Sequence, residues 1–487
     1  MDETIHTRLE RERKASQPQA ALLRTYRDYA RGVQVGTLTT AQRAILRGVV
    51  KHQFADNVCK MVLLAATGRL QLARFEVSAK PVEAWLRDWW TTAGLPTLQG
   101  QVHWAALRDG NHAVALSWEA EPGRVRLARE RWWDGKQGIW IAYDDSDQPS
   151  YAVKEWETPE GRRRVFWWPD RIERYLAVDA GWQPYRLDPT NPGSWRDAWV
   201  DRDGQPLGLP VVHFRNAYLP QDADETDSNY GVSELDGGVL GLQDEVNDVQ
   251  RDLTSGARYT GYQMLYATGV TPDTDPVTGE RKPLRVEPGA VFESENDAAR
   301  FGPIPAGDLS QLERTLQIKL QAVSRQTATP LHLITGGDWP SGEALLRADK
   351  PLVNKVLAMG RVFGPAWASL AHKATVLANT FGKPGQPLDT DALITAVFAS
   401  PEDSDPLTLA QVADAIAPFV SEQEVLRVLN YGPDAQQQIL KERKADKKAN
   451  TPAPAVPNPP PDGQPAPADG QTQPGAQSAA PTQQEGQ

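Results

Sequence analysis

The side chains of this chain that could do chemistry sort quickly. Asp244, Asp248 and Asp252 stand four residues apart, which places three carboxylates on one face of a helix. A two-metal nuclease could be built from such a row. Neither a histidine nor a loop acid lies nearby in sequence, so the row reads instead as a solvated acidic stripe. The seven histidines (His6, His52, His103, His112, His213, His332 and His372) never form the H-x-x-x-H or H-E-x-x-H pair that grips zinc. Residues 336–343, GGDWPSGE, have the glycines of a phosphate loop but an acid where its lysine belongs. No G-x-S-x-G elbow occurs. Cys59 is the only cysteine, which excludes a disulfide framework and a thiolate zinc cluster, and it stands in an apolar helical pattern as an inert thiol. Arg162, Arg163 and Arg164 either touch phosphate or form a solvated strand edge. Lys441–Lys448 is a mixed-charge helix end, with DNA or partner binding the weaker reading. The sequence therefore predicts no catalytic residue, no metal and no cofactor.

The elements around these residues belong to a chain of 487 residues, long enough for two or three domains. A net charge of −11 and a pI near 5.3 argue against a broad basic face that grips nucleic acid. They leave room for a protein that lets DNA slide past. The charged opening, MDETIHTRLERERK, lacks the apolar core of a signal peptide, and no apolar run approaches the ~20 residues that span a bilayer. The expectation is a soluble protein made in a reducing cytoplasm.

Residues 1–30 read as a charged helix whose Leu22, Leu23, Tyr26 and Tyr29 dock on the body. Helical spacing recurs from Ala41 to Ala66, from Pro81 to Thr92 and from Leu98 to Leu107. Asp109-Gly110-Asn111 then turns into the alternating strand HAVALSWEA. To about Arg215, turn signals punctuate short runs rich in tryptophan (Trp132, Trp133, Trp140, Trp156, Trp167, Trp168, Trp182), which predicts an antiparallel meander. Sheet core plus a subunit interface is one reading of those rings, and a carbohydrate-binding face is the other.

Val232, Leu235, Val239, Leu242, Val246, Val249 and Leu253 form a heptad-like seam, predicting an unbroken helix from Tyr230 to about Tyr259. Short strands and turns fill residues 265–307. Leu309, Leu312, Leu316, Leu320 and Val323 mark a returning helix, with Asp308 as its N-cap. Thr329-Pro330 ends it, and a short loop with an apolar tip, LHLIT, follows. The next helix starts near the N-cap Ser341. Pro351 should kink it, and Pro365 should kink or end it. Ser421 and Glu424 form a capping box, with Gly432 as the stop. The Pro/Gln/Gly/Ala-rich tail from 449 to 487 reads as disordered.

Four passages, in order, carry a resemblance. They are ALRDGNHAVALSWE, LGLPVVHFRN, NYGVSELDGGVLGLQDEVNDVQRDL and TATPLHLITGGDWPSGEALLRADKPLVNKV. Together they resemble the portal proteins, or head–tail connectors, of tailed bacteriophages of the siphophage and prophage type. The resemblance implies an α+β portal fold that assembles as a ring. Residues 1–229 and 341–404 would be the wing, 230–262 and 308–328 two stem helices, and 263–307 a β-containing clip. Residues 329–340 would be the tunnel loop, 405–448 an α-helical crown, and 449–487 the tail. It further implies that His332, Leu333, Ile334 and Thr335 border a DNA channel. Asp244, Asp248, Arg251, Asp252 and Arg258 would line that channel from the stem. Arg281, Lys282 and Arg285 would meet the packaging motor, and Pro351 would bend the helix that returns to the wing.

The implied partners are further copies of the chain in a dodecamer, passing double-stranded DNA and the terminase large subunit. A head-completion or adaptor protein and the major capsid and scaffolding proteins complete the set, with no membrane. The implied place is the portal vertex of the virion's capsid, after assembly in the host bacterial cytoplasm. DNA would be packaged through the ring and later ejected. An acidic wall would repel phosphates so that the duplex slides, while the apolar tip would touch it without gripping. The alternative is a Trp-rich carbohydrate-binding or carbohydrate-active protein.

Overall fold

A computed structural model describes residues 4–15, 17–34, 56–179, 181–218, 229–261, 265–269, 277–279, 296, 298–303, 308–336, 342–382, 387–402, 413–429, 436 and 438–444. The chain divides into two units, Met1–Pro433 and Asp434–Gln487. Of the second, residues 438–444 are helical. The tail from 449 and the first part of the expected 41–66 helix lie outside the described residues.

The first unit opens with two helices, α1 (Ile5–Ala15) and α2 (Gln17–Arg31), where the sequence suggested one. Leu9, Leu23 and Tyr26 are buried, whereas Leu22 stays on the surface. Helix α3 (Val58–Arg69) is capped by Asn57, whose side chain accepts the Lys60 N–H. It buries Val58, Cys59, Val62, Leu63 and Ala66. Strand β1 (Leu72–Val77) leads to α4 (Lys80–Thr92), with Pro81 in its first turn, and to α5 (Leu95–Asp109).

Strand β2 (Asn111–Glu119) lies between β3 (Arg124–Glu130) and β10 (Val211–Arg215) in an antiparallel three-stranded sheet. The Trp-rich region forms the expected meander. Its strands β4 (Gly138–Tyr143), β5 (Pro149–Thr158), β6 (Gly161–Trp167), β7 (Arg171–Val178) and β8 (Gly181–Pro184) pair in order, with β9 (Arg196–Ala198) also on β7.

Helix α6 covers Val239–Gly261, so the helix expected from Tyr230 begins later. Gly237 and Gly238 take φ of 67° and 91°, a left-handed turn that no α-helix continues through. Residues ahead of it are tied to the body instead: the Glu234 N–H donates to Leu107 O at 2.9 Å. Strands β11 (Leu265–Thr268) and β12 (Arg300–Pro303) pair as an antiparallel ribbon, and α7 (Ser310–Thr327) follows. The N-cap position is Leu309, and Asp308, the expected cap, acts from one position further out, accepting the Ser310 N–H at 2.9 Å.

After α8 (Leu331–Thr335), α9 runs from Gly342 to Phe381, 40 residues that follow about 60 Å of helical path. Pro365 does not end it. Both prolines sit on its exposed side, where water can take the carbonyls they orphan. Its other side buries Leu352, Val356, Met359, Phe363, Trp367, Leu370 and Ala374 in the main core, which outweighs the ~3 kcal/mol that an interior proline costs. Strand β13 (Ile394–Phe398) closes back on β1, and α10 (Glu422–Val428) carries the expected Ser421 cap, whose hydroxyl accepts the Glu424 N–H.

Candidate functional site

Helices α6 and α7 form an arm whose root is a small apolar cluster. Val246 of α6 meets Leu320 and Val323 of α7 and Val58 and Val62 of α3. Lys319 on α7 pairs with Glu245 on α6 at 2.7 Å, stitching the arm together. The expected β excursion between the two helices is represented by the β11–β12 ribbon. Arg281, Lys282 and Arg285 lie outside the described residues.

The acidic stripe is less uniform than its spacing suggests. Asp248 is 64% exposed and pairs with Arg251, whose side chain lies back along the helix. Asp252 is exposed. Asp244 departs from the reading as a purely channel-lining group. Both of its oxygens accept the Tyr29 hydroxyl of α2 at 2.8 Å, so it also fastens the arm to the N-terminal helices. Burial, then that carboxylate, holds the Tyr29 proton on well beyond the usual tyrosine range. Arg258 lies within α6, and its side chain is outside the described residues. Among the described residues no group of three or more acids, histidines or cysteines could hold a metal.

The expected apolar tip takes the form of a helical turn in which Leu333 and Ile334 are half-buried. Residues 331–335 form one helical turn between Pro330 and a left-handed Gly336 (φ 62°). That turn sends its apolar side chains inward. Leu333 packs on the main core and Ile334 on the small cluster at the arm's root. His332 is 9% exposed, with Nε2 3.3 Å from Asp349 Oδ1. Only Thr335 of the four expected channel residues is exposed, and its hydroxyl donates to Leu331 O.

Two ionic fasteners hold α9 to these parts. Arg69, at the end of α3, donates to Asp349 at 2.6 Å, and His332 approaches the other oxygen of that carboxylate. Six residues on, buried Lys355 pairs with Glu234 and donates to Thr327 O at 2.8 Å at the end of α7. Glu234 also accepts from Asn216 Nδ2 at 3.0 Å and from Tyr218. Pro351 lies between the two fasteners. Sequence reasoning missed Arg69, Glu234, Asp349 and Lys355. The available signal was two charges, Asp349 and Lys355, within the apolar stripe Leu352, Val353, Val356.

The arginine triplet neither forms a solvated edge nor offers itself to phosphate. Arg164 is buried, donating to Glu155 at 2.8 Å and to Glu10 at 2.6 Å, and lies 3.9 Å from the Trp182 ring centroid. Arg162 pairs with Glu155 at 2.9 Å, and Arg163 with Glu160 and the Tyr185 hydroxyl. The tryptophans are mostly spent in the same way. Trp132, Trp133 and Trp140 are core residues, while Trp168 lies under Arg171 and donates to Glu173.

Buried histidines serve the scaffold. His103 faces Leu70 O through Nδ1 at 2.9 Å and accepts the Trp367 indole N–H through Nε2 at 2.9 Å. That pair of contacts fixes the neutral ring, and burial drops its pKa to about 4. His213 touches Tyr143 and Asn111, and burial takes it down to about 3.

No protein-family model matches the chain. A portal protein of Mycobacterium phage D29 is 26% identical over 177 residues. The match spans 35% of this chain and 35% of that relative, about a third of each. Among solved structures, a chain from the virion of a native gene transfer agent particle matches at 16% identity and a TM-score of 0.38, covering 83% of this chain and 98% of that one. A chain from the neck of the native particle, computed with C12 symmetry, matches at 15% identity and 0.40, over 81% and 94%.

Proposed function

We propose that this chain is the subunit of a phage portal, the ring through which double-stranded DNA enters and leaves a capsid. The resemblance read from the sequence is borne out by the named portal relative, which supports a structural protein rather than an enzyme. The observation that carries the reading is the arm. Two long helices project from a mixed body, joined through a β ribbon and rooted beside α8 and the start of α9. No cleft chemistry is asked of it.

In this reading the arm is the stem, and the body from α1 to β10, with α9 and β13, is the wing. The ribbon belongs to the clip that meets the terminase large subunit and later an adaptor. The acidic side of α6, with Asp252 at its centre, borders the DNA path. Like charge there keeps the duplex off the wall and lets it slide. Helix α8 and the exposed Thr335 border the constriction, with Leu333 and Ile334 setting its position from within. The ring would sit at one vertex of the capsid, a dodecamer in contact with capsid and scaffolding proteins. No helix among the described residues is long and apolar enough to cross a membrane.

The test is negative-stain imaging of the purified full chain. Rings with a central hole about as wide as duplex DNA are expected. A compact monomer across a concentration series would sink the proposal.

A further inference from the structure

Helix α7 carries an exposed outer face that no described residue covers. Arg314, Ile318, Gln321 and Arg325 recur at spacings of 4, 3 and 4, and all four are exposed. Ile318 is 52% exposed, a large aliphatic side chain placed between two arginines. Leu316, Leu320 and Val323 point the other way, into the arm's root. Neither arginine makes an ion pair among the described residues, whereas Lys319, on the flank toward α6, is already taken by Glu245. The backbone positions of the two arginines lie about 16 Å apart along the helix axis.

The same arm bears the complement on its other helix. Asp248 and Asp252 are exposed on α6, away from the Val246 side that meets α7. One face is cationic with an apolar centre, and the other is net anionic, its Asp248 sharing Arg251 of the same helix. Unlike faces on one molecule make a head-to-tail contact, and a head-to-tail contact whose rotation closes makes a ring. We propose that the Arg314–Ile318–Arg325 face of α7 receives the Asp248 edge of α6 from a second copy of this chain. The wall then alternates α6 and α7 around the ring. Asp248 lies at the seam and Asp252 beside it, toward the opening. This inference rests on the portal reading and names which surfaces close its ring.

The arrangement predicts steep dependence on charge sign. Like charges brought face to face at an interface repel, so reversing both arginines should weaken association at least about tenfold. The experiment is sedimentation velocity of the full chain at several protein concentrations. It compares wild type, Arg314→Glu/Arg325→Glu, and that pair combined with Asp248→Arg/Asp252→Arg. The expected result is rings, then smaller species, then rings again. All four positions are exposed, so each variant should fold, and the quadruple variant, which gives up the surface pair of Asp248 with Arg251, should melt only slightly below wild type.

If wild type forms rings and the reversed pair assembles as well as wild type, the contact lies elsewhere and the portal reading stands. The same holds if the charge swap restores nothing. If wild type itself stays monomeric at every concentration, the ring reading fails and takes this contact with it. Should a reversed variant not fold, mixing Ile318→Cys with Asp248→Cys chains and adding a short thiol crosslinker replaces it. Cys59 is buried and does not compete. A cross-linked heterodimer supports the contact, and its absence in assembled material overturns it.

Discussion

Replacing Lys355 by Met tests whether α9 is fastened as described. Lys355 and Glu234 side chains are 5% and 4% exposed, so the pair is shut away from water. Lys355→Met leaves Glu234 charged there with only Asn216 Nδ2 and the distant Tyr218 hydroxyl to satisfy it. Stranding one buried charge costs about 3–5 kcal/mol. At roughly 2 cal/mol/K per residue, the first unit of roughly 430 residues loses about 1 °C of Tm per kcal/mol, so the expected drop is about 3–5 °C. The double variant Lys355→Met/Glu234→Met removes both charges. Asn216 keeps its bond to Val232 O at 2.8 Å, while the Thr327 carbonyl loses a donor and the Tyr218 hydroxyl an acceptor, so the net cost should fall to about 1–2 kcal/mol. The assay is a double-mutant cycle by thermal and urea unfolding of the full chain. If the two single losses simply add in the double variant, the pair is not coupled and the fastening argument fails.

Acid should weaken the fold through its histidines. Neutral His103, with a pKa lowered from 6.5 to about 4, resists protonation that the unfolded chain accepts, so its stabilisation is present above pH 6.5 and is lost as pH falls toward 4. The loss from that ring alone is on the order of 3 kcal/mol by pH 4, and a melting series from pH 7.5 to 5 in which Tm rises on acidification would contradict it. Gly231 and Gly110 meet backbone to backbone: a Cβ on Gly231 would sit 2.3 Å from Gly110 O and 2.4 Å from Asn216 N. Gly231→Ala should therefore cost about 2 kcal/mol or more, whereas Gly241→Ala, in open space on α6, should gain about 0.5–1 kcal/mol; equal effects in a thermal melt would refute both. Ile334→Ala trims the cluster at the arm's root and should cost about 2–3 kcal/mol in urea unfolding, a loss that an exposed loop tip would not show.

Long apolar periodicities were readable because burial repeats along them. The 3-and-4 spacing in α6 and α7 reappears as stripes of buried and half-buried residues, whereas β2, which reads as alternating, is buried on both faces over its first six residues because helices and sheet neighbours cover it. What the pattern could not give was where tertiary contacts override it. Val232 and Leu235 fit the α6 seam, yet Gly237 and Gly238 turn the chain, leaving Val232 exposed and Leu235 buried outside the helix. LHLIT looks like an exposed apolar tip because it follows a proline and precedes paired glycines. It is folded inward by a single helical turn whose value lies in contacts from distant residues. Arg162–Arg164 look available for the same reason: Glu155 sits on the neighbouring strand, but Glu10 arrives from α1 at the far end of the sequence.

The charges on α9 bear on why that helix sits in one place. Leu352, Val353, Val356 and Met359 make a smooth apolar stripe, and such a stripe could be shifted by one turn at little cost in buried area. Asp349 and Lys355 remove that freedom. Their partners lie on separate elements, Arg69 at the end of α3 and Glu234 ahead of α6, so a one-turn slide strands both charges at once. A buried pair adds little net stability over apolar side chains of the same size, and its best-attested value is in fixing register. The double variant should therefore melt close to wild type yet hold α9 less firmly. Faster hydrogen exchange along residues 349–356, with stability nearly intact, is the signature that separates a register lock from ordinary packing.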